Sequence, residues 1–586
     1  MAARRRARPL VGGIVLQLGW ILAGCGDGEE GSCIEPVPVT GQQESPRGDP
    51  PYYPDERTAP ANDLEWQRCA LITGGPDRAA ECARIDVPVR WSEPDGDQIE
   101  LFVKRYRAAP RPRGQLWLLA GGPGAAGADF EHQTYDDPRD GFYPTFAEIA
   151  PELEVYLLDH RGTGRSSRLG CPAQEDPDSD GASSITDGEW GACLEAVQDA
   201  WGASLDGFNT TEAARDLGEI VSRTRHGDEA VFVYGVSYGT YWALRYLHLY
   251  PEQAAGVVLD SICAPGECDV MLDYDAGFDE VGHALLDLCS EDPSCAGQFP
   301  DGGPLAALDA VRAAAIRDEC GFGLEPADVR LLLGLMLRSW PIRDLVPAVI
   351  ARLRACDEAA LQRLLLTLVD VPETAGDEMF SDVLNRHVAL SELARRPAPT
   401  VEEVETFVDG LDFSLDVGPH FARLAEAGWP TYDRDAWADE LPDTTVPLLL
   451  LNGTLDPQTV ERRTRRTAAH FTGADQQYVA VPYATHSVLD QSPLELAPDG
   501  TLATCGQDLI AQFLAAPTTR VDTSCTQDVI APNFANPELA RVVLGTANPF
   551  SQSVPAELRP LAAGTQGGSY RQAIRSAAKW PPLRFW

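Results

Sequence analysis

Short runs that are apolar at every position recur along this chain: Leu116 to Leu119, Val155 to Leu158, Val231 to Tyr234, Val257 to Leu259, Leu448 to Leu451 and Tyr478 to Val481. A strand with no polar alternation is covered on both faces. Such runs therefore predict a mainly parallel sheet flanked by helices, an α/β architecture. Arg84 to Trp91 and Gln98 to Tyr106 alternate instead, around Glu93-Pro94-Asp95-Gly96-Asp97, and predict a hairpin. Thr211 to Arg223 has helical spacing; Asn209-Thr210-Thr211 supplies an N-cap region and Glu212 sits in the first turn.

Between the apolar run ending near Asp260 and the one opening near Val446 lies a long insertion. Leu305 to Ile316, Val329 to Leu337, Leu345 to Leu353 and Leu361 to Leu368 carry apolar residues at three- and four-residue spacing, a pattern of helix core rather than chemistry. The expected organisation is a core over 61–265 and 436–530, a helical cap over 266–435, and a partly irregular C-terminal extension over 531–586. Ahead of the core, Arg4, Arg5, Arg6 and Arg8 precede a short apolar stretch, Leu10 to Leu22, and then Leu22-Ala23-Gly24-Cys25. The stretch is too short for a stable membrane span. Residues 1–24 read as a signal peptide whose lipobox-like end makes Cys25 the lipidated first residue. Residues 25–60, rich in Gly, Pro, Glu and Gln, read as a spacer. The protein is expected outside the cytoplasm, touching a membrane only through that lipid.

Composition adds two exclusions and one support. With 47 basic and 89 acidic residues the net charge is −42, which argues against nucleic acid as a partner. The 14 cysteines include no pair of CxxC motifs, and the histidines are scattered, so no metal site is expected. Cys69 and Cys82, Cys171 and Cys193, Cys289 and Cys295, and Cys505 and Cys525 lie close in sequence and read as disulfides, without spacing fixing the connectivity. Cys33, in the spacer, is the expected odd thiol.

The candidate chemistry centres on Gly235-Val236-Ser237-Tyr238-Gly239. It follows the apolar run Ala230 to Tyr234 and precedes a helical stretch, Thr240 to Tyr250, that stops at Pro251. Strand, tight turn and helix are the context that exposes a serine nucleophile, here Ser237, above a sheet edge. A serine hydroxyl needs a general base, and that base an orienting acid. Asp456, in the turn after Leu448 to Leu451, is the candidate acid; Asp260, after Val257 to Leu259, is its rival. Two histidines follow Asp456. His470 ends a helical stretch and reads as a surface or packing residue, whereas His486 lies on a loop after the last apolar run and is the candidate base. Gly121-Gly122-Pro123-Gly124, after Leu116 to Leu119, offers backbone N–H groups for an oxyanion, with Gly122 and Tyr238 the expected donors.

Ala120-Gly121-Gly122-Pro123-Gly124, Asp159-His160-Arg161-Gly162-Thr163-Gly164-Arg165-Ser166 and the elbow at Gly235 to Gly239 together resemble the α/β-hydrolase family of prolyl iminopeptidases and tripeptidyl aminopeptidases. Gly453-Thr454-Leu455-Asp456-Pro457 and Thr485-His486 resemble its acid and histidine turns, and Cys505 and Cys525 its secreted branch. The resemblance covers roughly residues 80–265 and 440–530. It departs at Ala120, where the iminopeptidases carry His, and at Thr485, where Gly is common. It implies an α/β-hydrolase fold with Ser237, Asp456 and His486 as triad, Asp159 and Arg161 fixing a loop beside the site, acyl transfer without metal or organic cofactor, and a peptide or small acyl substrate. The expected activity is that of a serine aminopeptidase; an esterase is the alternative, and a non-catalytic binding protein on a hydrolase scaffold a third reading. An aminopeptidase needs a carboxylate for the substrate ammonium, for which Asp269, Asp273, Asp275 and Glu280 are candidates. Oligomeric state is left open.

Overall fold

A computed structural model describes residues 57, 63–134, 145–176, 178–180, 185–369, 379–496, 502–551 and 570. The signal peptide, Cys25, Cys33 and nearly all of the spacer lie outside them, as do the C-terminal residues beyond 551 apart from Tyr570. Nine strands form one sheet: β1 Gln67–Cys69, β2 Ala80–Pro88, β3 Gln98–Tyr106, β4 Gly114–Leu119, β5 Leu153–Asp159, β6 Ala230–Ser237, β7 Gly256–Ile262, β8 Leu448–Gly453 and β9 Gln476–Val481. Their spatial order is β1-β2-β3-β5-β4-β6-β7-β8-β9. From β5 to β9 every pairing is parallel; β1, β2 and β3 add antiparallel pairs at one side.

The six apolar runs lie in the six mutually parallel strands β4 to β9, of which β9 forms the sheet edge, because layers pack on both faces of this part of the sheet. One layer on the sheet packs Leu217, Ile220, Trp242 and Leu244 against Trp117, Val233 and Leu259; the other packs Phe146, Leu509 and Phe513 against Leu118, Tyr234 and Leu449. Two departures from the sequence pattern have local causes. The first hairpin strand stops at Pro88 rather than reaching Trp91, because the Trp91 amide and indole donate to Glu212 (2.7 Å) and Asp216 (2.9 Å) on helix Thr210–Thr224. Strand β9 starts at Gln476, two residues before the apolar run. Buried Gln476 donates to the Thr444 carbonyl (2.7 Å), and Gln477 accepts from the Val521 amide (2.9 Å), so both polar side chains are satisfied inside the layer.

Between β7 and β8 the four apolar stripes coincide with helices Gly303–Ile316, Pro326–Leu337, Val346–Arg354 and Glu358–Val369. They enclose a hydrophobic core of their own, with Leu332, Leu364 and Phe413 among its members. Helix Pro537–Leu544, in a stretch with little sequence signal, contributes Val543 and Leu544 to it. Among the described residues, six disulfides join Cys69–Cys82, Cys171–Cys193, Cys263–Cys268, Cys289–Cys295, Cys320–Cys356 and Cys505–Cys525. The pairs at 263/268 and 320/356 were not singled out by spacing; the second closes across 36 residues of helical insertion.

One charge cluster in the insertion has a pH consequence. His283 lies between two carboxylates: its Nδ1 is 3.4 Å from Asp279 and its Nε2 is 3.0 Å from Asp412, which Arg312 also engages. Asp279 in turn accepts from the Asp412 amide (2.7 Å). The hydrogen bonds to Asp279 and Asp412 push the imidazole pKa up to about 10. These three side chains are also the one group among the described residues whose ligand atoms all lie within 4.8 Å of one another. Both imidazole nitrogens are already turned to carboxylates and Arg312 supplies a cation, so the cluster reads as a clamp between protein charges. Because the folded-state pKa is raised, the clamp stabilises fully below the unfolded pKa and loses its contribution as pH rises toward 10. The gap in melting temperature between wild type and His283→Gln is expected to be widest below pH 6.5 and to shrink progressively up to pH 10.5. A gap that stays constant would remove the clamp from the account.

Candidate active site

Strand β6 ends in a turn that only a special sequence tolerates. Ser237 adopts φ 56° and ψ −127°, a costly conformation for a residue with a side chain. The flanking glycines leave no room for a Cβ: one at Gly235 would sit 2.4 Å from the Gly239 carbonyl oxygen, and one at Gly239 would sit 2.1 Å from that of Leu119. The second contact seats the elbow on the end of β4, where the glycine loop begins. Helix Tyr238–Leu249 starts immediately after Ser237. The Tyr238 amide is therefore one of the first-turn donors that have no partner within the helix.

The glycine loop is fixed from the cap side. Gly122 and Gly124 have φ of 109° and 110°. Asn385, on helix Asp382–Val388, donates to the Pro123 carbonyl (2.7 Å), and the Ser381 amide donates to that of Gly124 (2.9 Å). No local sequence signal identified Ser381 or Asn385, which lie more than 250 residues downstream of the loop they hold. Beside this loop, Asp159 accepts from the Arg165 amide and guanidinium, while Arg161 forms a two-pronged ion pair with Asp216 (2.7 and 2.6 Å). Both are buried and hold the backbone in place.

Asp456 and His486 meet. His486 Nδ1 lies 3.0 and 2.9 Å from the two carboxylate oxygens of Asp456. Both side chains are buried, and Asp456 also accepts from the Gln458 amide (2.9 Å), the Thr459 amide (3.0 Å) and the Thr459 hydroxyl (2.7 Å). Burial alone would raise the Asp456 pKa. The His486 charge, its hydrogen bond and those from Thr459 outweigh this and hold the carboxyl below its ordinary value. A carboxylate so placed fixes the imidazole ring and its Nδ1–H tautomer.

Asp260 has a different position. Its carboxylate accepts from the Val488 (2.8 Å) and Leu489 (2.9 Å) amides and from the Tyr234 hydroxyl (2.9 Å). Neighbouring Ser261 accepts from the Ser487 amide (2.8 Å). Asp260 pairs with Val236, and Ile262 with Ser237, across β6 and β7. These bonds hold the loop that follows His486 alongside the elbow. His470 lies elsewhere, its Nε2 3.2 Å from the Pro442 carbonyl. The four acidic residues considered for a substrate ammonium all have partners within the chain. Asp269 and Asp273 pair with Arg395, Glu280 pairs with Arg462, and buried Asp275 accepts from the Ser414 hydroxyl and the Gly418 amide.

Two family models match: one for the α/β hydrolase fold over residues 118–288, and one for TAP-like proteins over residues 418–525. Among curated proteins, the tripeptidyl aminopeptidase of Streptomyces lividans is 27% identical over 233 residues, 37% of this chain and 42% of its own length. The serine protease Hip1 of Mycobacterium tuberculosis is 25% identical over 256 residues, 40% of this chain and 46% of its own. The carboxylesterase B of the same organism is 29% identical over 170 residues, 28% and 29% of the two chains. The matches thus span less than half the length of these relatives. With its parallel sheet, its strand–elbow–helix unit and both family models in agreement, the chain has the α/β-hydrolase fold and resembles the tripeptidyl-aminopeptidase-like serine hydrolases.

Proposed function

We propose that the protein is an extracytoplasmic serine peptidase that cleaves short peptides from a free N-terminus through an acyl-enzyme. The observation that carries this reading is the buried Asp456–His486 pair on loops anchored beside the strained Ser237 elbow. In this mechanism His486, oriented by Asp456, takes the proton from Ser237 Oγ at Nε2 while Oγ attacks the scissile carbonyl. The amides of Tyr238 and Gly122 receive the oxyanion. His486 then passes its proton to the departing amine, and water attacks the acyl-enzyme by the same route in reverse. Anchoring through a lipid on Cys25 belongs to this reading, and so does release of a prolyl residue or a tripeptide. The similarity to a carboxylesterase supports a second reading, an esterase of small molecules on the same residues.

Prolyl-, alanyl- and tripeptidyl-arylamides, their N-blocked counterparts and a butyrate ester separate the two readings when assayed with the purified protein. Cleavage of arylamides with free N-termini and rejection of the blocked forms are expected. Turnover of the ester alone would overturn the peptidase assignment and leave the esterase.

A further inference from the structure

Among the described residues, the cap carries a cation with no carboxylate paired to it. Arg338 closes helix Pro326–Leu337 as its C-cap residue and is 8% exposed. No hydrogen bond or ion pair among the described residues takes up its guanidinium, and its Nε is buried without a partner. Burial lowers its pKa, and the one charge interaction that counters this comes from the Tyr274 hydroxyl, a weak acid. The last turn of a helix supplies only a partial negative charge. A guanidinium whose Nε is shut away without a partner, while its Nη atoms are not closed off, is placed to take up an anionic group from outside the chain.

Two independent connections place Arg338 at the candidate active site. Tyr274, with which Arg338 interacts electrostatically, donates its hydroxyl to Gln458 (2.9 Å), and the Gln458 amide donates to Asp456 (2.9 Å). Two residues after Arg338, the Trp340 amide donates to the Gln491 side chain (3.1 Å), which also accepts from the Thr485 hydroxyl (3.2 Å) immediately before His486. Arg338 therefore stands where the cap meets both the acid turn and the histidine loop. Arg343, also buried with unpartnered Nη atoms, has its own carboxylate, Asp344, 3.4 Å away, and is fully closed off from solvent.

We propose that Arg338 is a carboxylate-binding subsite of the active site, which selects substrates bearing a negative charge. A guanidinium matches a carboxylate with two parallel N–H bonds, whereas it repels an ammonium. The carboxylate is either an acidic side chain in the released peptide or the free C-terminus of a short substrate. This rests on the peptidase reading for the source of the carboxylate but not for its binding.

The test compares wild type with Arg338→Gln and Arg338→Lys. One substrate series exchanges Glu for Gln at each position of tripeptidyl-arylamides; the other exchanges a C-terminal carboxylate for an amide in tetrapeptides. A charge-assisted hydrogen-bonded contact is worth about 10- to 100-fold in selectivity. Wild type is expected to favour the carboxylate by about that factor in one series, which identifies the source. Arg338→Gln is expected to abolish the preference while leaving neutral substrates within a few-fold, and Arg338→Lys to restore part of it. The melting temperature of Arg338→Gln is expected to hold, since no described partner of the guanidinium loses a bond; loss of a residue with only a structural role would lower it and slow all substrates alike. Separately, calorimetric titration of Ser237→Ala with glutarate is expected to show binding that Ser237→Ala/Arg338→Gln lacks. Equal selectivity in wild type and Arg338→Gln, with no glutarate binding, overturns the proposal. Glutarate binding by a protein that cleaves no peptide would retain the subsite and overturn the peptidase reading instead.

Discussion

Ser237→Ala is expected to lower turnover by about a millionfold, to the residual rate that oxyanion donors and substrate binding alone sustain. The expectation follows from placement as well as residue type. The elbow holds residue 237 at φ 56°, with the glycines on either side in contact with Gly239 and Leu119 backbone. Alanine has a Cβ like serine, so the substitution leaves the backbone strain where it was. The melting temperature is therefore expected to stay within the range of a neutral surface change, about 0.5 kcal/mol. A folded, inactive variant that has also lost labelling by a fluorophosphonate would locate the covalent step on Ser237 Oγ. If wild type and variant turn over the same substrates at the same rate, Ser237 is not the nucleophile and the proposed mechanism falls.

What could be read from the sequence follows from how local each signal is. The elbow is a strand, a turn and a helix within about twenty residues, and its two glycines are required by contacts inside that unit or to the adjoining strand. The apolar runs are legible because burial on both faces acts on each strand separately. The turns carrying Asp456 and His486 each follow a strand, and the choice between Asp456 and Asp260 was the point at which sequence offered two acids. Hydrogen bonding distinguishes their surroundings: Asp456 faces the imidazole and Asp260 faces the backbone of the following loop. The features that sequence did not suggest are pairings across long separations. Asn385 and Ser381 on the glycine loop depend on how the inserted helices return to the sheet, whereas the interaction of Arg338 with Tyr274 and the Cys320–Cys356 bond depend on how those helices pack on one another. The same packing, within the insertion and against the core, decides the fate of the acidic residues at the start of the insertion. Asp269, Asp273 and Glu280 meet arginines that no local pattern connects to them.

The contrast between the two aspartates also makes the second large effect. Asp456→Asn is expected to lower turnover by about 10,000-fold while leaving the fold intact, because asparagine keeps the shape of the carboxyl but can donate to His486 Nδ1. The imidazole then carries its proton on Nε2 and cannot accept one from Ser237. The Thr459 amide and the Gln458 amide still find the remaining oxygen, which retains the turn. Asp260→Asn acts through stability instead. The aspartate oxygens accept from Val488 on one side and from Leu489 and Tyr234 on the other. The amide NH2 of asparagine cannot replace one of those acceptors, so about 1–3 kcal/mol of stability is expected to be lost. Turnover would fall only as far as the His486 loop loosens. The two variants are separated by measuring kcat alongside the melting temperature. A large loss of kcat with an unchanged melting temperature is expected for Asp456→Asn, and a lowered melting temperature with the smaller loss of kcat for Asp260→Asn. The reverse pattern would make Asp260 the acid that serves His486, and would require the hydrogen bond between Asp456 and His486 to be structural.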